Sequence, residues 1–292
     1  MKQQHVAIIG CGWVGQALVP ALLAQQIRVS ATTTNPAKLE QLAKLGCQPK
    51  LLSLPLTSNQ ALSSRQGTLA SDDGCSAGGD EALEWLEGVD TMVISITPKF
   101  KHGSMAYPDH VASLVKLANQ YQIGRVVLLS STGIYQGLSG TVDEQSRLML
   151  GEPKVALLHQ AEQAVLSGVN RACVLRLAGL VGPKRHPARF MAGKEGVGNA
   201  QTPVNLVHQL DVVGAILAML TEHQRHGIYN VVSETHPTRA EFYQLACRQL
   251  GLTAPQFTDQ QEPQLRVVAG KKYQQLGGQL RWPDLLTWLE SA

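Results

Sequence analysis

Short, uniformly apolar runs alternate along this chain with amphipathic stretches. Val6-Ala7-Ile8-Ile9 is the first run, suited to a strand buried on both faces. Glycines follow it, then a helical stretch over about 12–25 in which Pro20 predicts a kink. Residues 27–31 read as a second strand, and Asn35-Pro36 opens a helix that runs to about 45, with proline in its first turn. Residues 51–54, 91–96, 126–130 and 173–177 read as the third to sixth strands. Val111, Leu114, Val115 and Ala118 mark one intervening helix by their spacing, and another covers roughly 155–166. This alternation predicts an α/β fold, a Rossmann-type doubly wound parallel sheet with helices on both faces.

The last third has a different texture. Val212, Val213, Ile216, Leu217 and Leu220 define an amphipathic helix, and Tyr229-Asn230-Val231-Val232 is a short strand. Thr238-Arg239-Ala240-Glu241 has capping-box spacing and starts a helix expected to turn Phe242, Leu245, Ala246 and Leu250 inward. The expected organisation is an NAD(P)-binding domain over 1–180. Residues 181–292 are expected to form mostly a small C-terminal substrate lobe, with some segments returning to the first domain. Residues 58–80, rich in Ser, Gly, Gln and Asp, have little to bury and read as a mobile surface insertion, a plain loop rather than a lid.

Composition narrows the classes. With 292 residues, 44% apolar and 16% charged, the chain can bury a sizeable core and is not a charged disordered polymer. A net charge of +3 with no Lys/Arg stripe argues against nucleic acid. Cys11, Cys47, Cys75, Cys173 and Cys247 are odd in number and lack metal-ligand spacing, so reduced thiols and no metal are expected. The first apolar run is too short for a signal core or a membrane span, so a cytoplasmic protein without a membrane partner is expected.

The chemistry begins at Gly10-Cys11-Gly12-Trp13-Val14-Gly15, between the first strand and its helix. In this pattern Gly10 makes the tight turn, Gly12 lets a pyrophosphate approach the backbone, and Gly15 lets helix and sheet sit close. The helix amino terminus offers unpaired N–H groups to the phosphates. Cys11 reads as a small filler. Ile96 and Thr97, at the end of the fourth strand, complete this wall of the expected cofactor site. An acid normally follows about 20 residues on and binds the ribose hydroxyls of NAD. Here no Asp or Glu occurs between Gly15 and Glu40. The second strand leads instead into Thr32, Thr33 and Thr34, with Lys38 nearby. A 2′-phosphate meets no repulsion there, so NADP is favoured over NAD.

Three further segments carry a resemblance: Leu129-Ser130-Ser131-Thr132-Gly133-Ile134-Tyr135, Arg176-Leu177-Ala178-Gly179-Leu180-Val181-Gly182-Pro183, and Val204-Asn205-Leu206-Val207-His208-Gln209-Leu210-Asp211. In order and spacing they resemble the extended short-chain dehydrogenase/reductases, the NAD-dependent epimerase/dehydratase group, over nearly the whole chain. Arg281-Trp282-Pro283-Asp284 is similar to that family's ending. The resemblance implies that Ser131, with Thr132 beside it, binds a substrate oxygen. It implies a catalytic Tyr-x-x-x-Lys pair, in which the ammonium lowers the phenol pKa. It also implies a homodimer built through two helices of each copy.

The pair is missing. Counting back from Glu162, Lys154 stands at the tyrosine position and Leu158 at the lysine position. The chain thus resembles an atypical member, similar to the bacterial YeeZ-type proteins, with the glycine turn kept and the tetrad incomplete. Tyr135 is the nearest candidate phenol. Lys154 and His159 are weaker substitutes, five residues and so about 140° apart on a helix. His208 is expected to be structural or substrate-facing, and Asp211 to cap the helix after it. Two readings follow: an NAD(P)-dependent oxidoreductase or epimerase-like enzyme on a small polar or nucleotide-sugar substrate, or a catalytically inactive NADP(H)-binding sensor.

Overall fold

The computed structural model describes residues 3–56, 83–98, 100, 103–221, 226–258 and 265–291. The insertion expected over 58–80 lies outside the described residues. Strand β1 (His5–Ile9) is buried along its whole length, as its apolar run requires. It leads into α1 (Trp13–Leu23), which continues unbroken through the exposed Pro20. Then come β2 (Arg28–Thr33), α2 (Leu39–Ala43) and β3 (Gln48–Leu51). Beyond the gap, β4 (Thr91–Ile94), α3 (Tyr107–Gln120) and β5 (Arg125–Ser131) follow. A short β6 (Gly140–Val142) precedes α4 (Pro153–Gly168) and β7 (Ala172–Leu177).

The chain then leaves the sheet through β8 (Gly179–Val181), α5 (Ala188–Met191) and β9 (Leu206–His208). It returns with α6 (Gln209–Thr221) and β10 (Gly227–Val231). Last come α7 (Arg239–Gln249), β11 (Arg266–Val268), α8 (Lys271–Gln275) and α9 (Leu285–Ser291).

Among the described residues the main sheet has seven strands in the order β3-β2-β1-β4-β5-β7-β10, and every pair is parallel. The order reverses between β1 and β4, which opens a crevice at the carboxyl ends of the strands. Two expectations shift. The third strand covers 48–51 rather than 51–54, because it is a half-exposed edge strand that needs no apolar run. The fourth strand stops at Ile94, so Ser95 and Ile96 turn out over the crevice. The strand after α6 adds to the main sheet beside β7, pairing Tyr229 with Leu175 and Val231 with Leu177.

A second apolar cluster, separate from the sheet core, joins Ala188 on α5, Phe242 and Ala246 on α7, and Trp288 and Leu289 on α9. The capping box that starts α7 forms as its sequence requires: Thr238 Oγ1 accepts the Glu241 N–H and Glu241 Oε2 accepts the Thr238 N–H. Leu250, expected inward, lies past the helix end and is exposed. Among the described residues no helix is long and apolar enough to cross a membrane.

Candidate functional site

Each glycine of the turn has a separable job. Gly10 has φ +85°, and a Cβ there would come within 3.1 Å of the Ser95 carbonyl. Its N–H is held by the Thr32 hydroxyl at 2.8 Å, so Thr32 fixes the turn from beneath. A Cβ on Gly15 would meet Cys11 Sγ at 3.0 Å and Ile8 at 3.3 Å, which fixes how closely α1 approaches β1. Gly12 is different: a Cβ there meets nothing within 4 Å. It is the helix N-cap, with no capping side chain and no acid in the first turn. The first intrahelical bond closes from Gln16 onto Gly12, leaving the N–H groups of Trp13, Val14 and Gly15 without an intrahelical acceptor. That cradle fits a pyrophosphate. Cys11 is a packed filler whose thiol, pushed up to about 12 by burial and then by Cys47, stays protonated.

Two hollows meet at this turn. One, of about 360 Å³, is lined by Gly10, Gly12, Thr32, Thr33, Thr34 and Lys38, with Leu52 and Leu54 beside them. The other, of about 290 Å³, is lined by Gly12, Trp13, Val14, Ser131, Leu158 and Arg185. Both share Gly12, Ser95, Ile96, Thr97 and Pro98, so they form one cleft across the switch point. No carboxylate lines it among the described residues. A larger hollow of about 680 Å³, beside Asp90 and Arg171, lies at the opposite ends of the strands, away from the glycine turn.

Trp13 closes the second hollow. Its indole N–H donates to the Pro183 carbonyl at 3.0 Å, and its ring lies under Arg185 at 5.0 Å. Gln209 donates to the Trp13 carbonyl at 2.8 Å. The loop after β8 is therefore latched to the cofactor turn. Sequence reasoning missed Arg185, Tyr107, Ser95 and His110 as lining residues. Ser95 had a visible signal, since it directly follows an apolar strand. Arg185 had one too, as a cation just past Gly182-Pro183.

The wall where proton transfer would occur departs from expectation. Tyr135 is fully buried and lines neither hollow. Its hydroxyl donates to Asn230 Oδ1 and accepts from Arg176 Nη1, both at 2.8 Å. Burial raises its pKa against the opposing pull of Arg176 and Asn230, so the phenol stays neutral. Tyr135 is thus withdrawn as a proton donor. Arg176 also grips Glu162, with Nη2 to Oε2 at 2.8 Å, and Ser130 donates to Glu162 Oε1 at 2.5 Å. Burial works against the guanidinium charge, but Glu162 and Tyr135 outweigh it, and the Arg176 pKa is raised. The network lies beneath the cleft and reaches it only through Ser130, which lines the second hollow.

Ser131 does line the second hollow, and its Oγ accepts the Gly133 N–H at 3.0 Å. Thr132 is buried and lines neither hollow. Leu158, where the resemblance implies a lysine, is a buried apolar part of the wall. Lys154 is exposed, its ammonium 3.0 Å from where a Gly133 Cβ would stand. His159 is half-buried, with Nδ1 unpartnered. Tyr107 lends its ring to the hollow while its hydroxyl is buried without a partner. Asp211 does not cap α6. Its carboxylate accepts the N–H groups of Arg281 at 2.5 Å and Trp282 at 3.3 Å, pinning the C-terminal segment instead.

No family model matches the chain. Protein YeeZ of Escherichia coli strain K12 is 32% identical over 288 residues, which cover 97% of this chain and 98% of the relative. The chain belongs to the YeeZ family. MoeE5, solved with UDP-glucuronic acid and NAD, has a TM-score of 0.75 and 18% identity over 98% of this chain and 96% of its own. The UDP-glucose 4-epimerase of Thermotoga maritima, solved with UDP-glucose, has a TM-score of 0.76 and 14% identity over 98% and 96%. A functionally unknown conserved protein from Silicibacter pomeroyi has a TM-score of 0.74 and 23% identity over 99% and 98%. The fold is that of the NAD-dependent epimerases and dehydratases within the short-chain dehydrogenase/reductase superfamily.

Proposed function

We propose that the chain binds NADP(H), in preference to NAD(H), across the switch-point cleft. There it acts as an oxidoreductase or epimerase-like enzyme on a small polar or nucleotide-sugar substrate. The carrying observation is the continuous cleft with an empty-sided Gly12 at its centre. The N–H groups at the start of α1 hold the pyrophosphate. Lys38 receives a 2′-phosphate beside Thr33 and Thr34. When bound, the nicotinamide supplies or takes up a hydride at the substrate carbon. Ser131 orients the substrate oxygen, and solvent exchanges the proton, because Tyr135 is committed elsewhere.

Leu158 and the sealed Tyr135 favour a second reading, a sensor that holds NADP(H) without chemistry. Fluorescence titration with NADPH and NADH tests the shared part: tighter NADH binding overturns the cofactor preference. A screen of NADPH oxidation over carbonyls, and of conversion over nucleotide sugars, separates the two readings. Turnover lost in Ser131→Ala supports the enzyme. Binding without turnover across the panel supports the sensor.

A further inference from the structure

Two histidines outside the cleft share one arrangement. His208 ends β9, and its Nδ1 accepts the Leu210 N–H at 3.2 Å. His186 precedes α5, and its Nδ1 accepts the Ala188 N–H at 3.3 Å. A neutral imidazole nitrogen that accepts a hydrogen bond carries no proton, so in both rings the proton sits on Nε2. Burial lowers both pKa values, with Arg189 adding to it at His186, and Arg281 at His208, which falls to about 4. Both rings are therefore neutral at pH 7. They flank Trp288, with centroids at 5.0 Å for His208 and 5.8 Å for His186.

Of these two N–H donors, that of His186 has no acceptor among the described residues. His186 Nε2 is buried and unpartnered, a deficit of about 1–3 kcal/mol. Both rings line one cavity of about 240 Å³, together with Lys184, Arg189, Leu250 and Trp288. Among the described residues no carboxylate lines it. Gly182, at φ +144°, forms part of the wall, and a Cβ there would stand 3.1 Å from His208 Nε2. Glycine keeps that donor clear. The cavity lies behind the loop that bounds the nicotinamide side: Arg185 lines that hollow, while its neighbours Lys184 and His186 line this one.

We propose that this cavity is a binding site for a small oxyanion, a carboxylate or a phosphate carried on an apolar body. The Nε2–H groups of His186 and His208 hold the oxygens, Lys184 and Arg189 supply positive charge at the mouth, and Trp288 with Leu250 takes the apolar part. Neutral donors of fixed tautomer cost no proton uptake on binding, and the two exposed cations draw the anion in. The site stands independently of the cofactor reading.

Titration with inorganic phosphate, benzoate and neutral benzamide tests it, read by tryptophan fluorescence and by histidine side-chain NMR. The expected result is saturable binding of phosphate or benzoate, silence from benzamide, and shifts confined to two histidines. Phosphate alone marks a phosphate ligand and benzoate alone a carboxylate. Lys184→Met and Arg189→Met, both on the surface, are expected to weaken binding together by at least about tenfold, and His186→Gln by about the same. Binding must persist in Gly12→Asp, which blocks phosphate at the cofactor turn. Three results overturn the proposal: no saturable binding of either anion, benzamide binding as tight as benzoate, or anion affinity lost in Gly12→Asp but kept in the other three variants.

Discussion

The two walls of the cleft follow different rules. At the β1–α1 wall, holding a dinucleotide rests on backbone: a φ only glycine adopts easily, an open approach at Gly12, and free N–H groups. At the β5–α4 wall, chemistry would rest on side chains. There the apolar Leu158 lines the hollow, and the nearest tyrosine is locked between Arg176 and Asn230. Binding and chemistry are therefore separable in this fold. The scaffold can lose one wall's reactivity while the other wall stays intact.

A crossed pair of substitutions breaks or sharpens that contrast most strongly. Arg176→Met leaves the Glu162 carboxylate buried without its partner and should cost about 3–5 kcal/mol of stability in a denaturant titration. NADPH affinity of the folded fraction should be unchanged. Gly12→Asp should do the reverse. Its side chain enters open space, so the melting temperature holds, while its charge faces the pyrophosphate and weakens NADPH by at least about a hundredfold. Should Arg176→Met keep its stability and lose only turnover, the buried network belongs to the reaction and the contrast fails.

Acid sharpens a second contrast, between the cleft and the lobe beside it. The folded pKa of His208, about 4, lies below its ordinary value of 6.5. The unfolded chain thus binds a proton first as the pH falls. The stability tied to this neutral ring is fully present above 6.5 and is lost as pH drops towards 4, by about 3 kcal/mol in all. His186 and His236, both lowered by burial, act in the same direction. Chemical denaturation across this window should show the decline, and His208→Gln should flatten it. An unchanged slope in that variant would assign the loss to other groups.

Legibility in the sequence followed the range of the interactions. The glycine turn, the capping box at Thr238 and the strand–helix alternation depend on neighbours within a few residues, and the chain displays them directly. The position of β10 depends on pairing with β7, a choice made across the sheet and invisible in the residues of the strand alone. Tyr135 looked available because its partners, Arg176 and Asn230, lie 41 and 95 residues away. Asp211 looked like a cap because the N–H groups it binds are 70 and 71 residues further on. The edge strand β3 was displaced because an edge needs little burial to form.

The smallest expected effect concerns Lys38, and it tests how far the intact wall reads its ligand. Thr33 and Thr34 give hydroxyls that suit either cofactor, since a ribose hydroxyl and a phosphate both accept hydrogen bonds. Only a cation separates them, and among the described residues Lys38 is the lysine that lines the hollow. It is exposed, so solvent screens its charge and limits its worth to about 1 kcal/mol. Lys38→Met should therefore weaken NADPH about fivefold and leave NADH unchanged, with the gap closing in high salt. Equal loss for both cofactors would mean that Lys38 serves the adenosine as a whole. The proposed preference for NADP would then rest only on the absent acid, which removes a repulsion and adds no attraction.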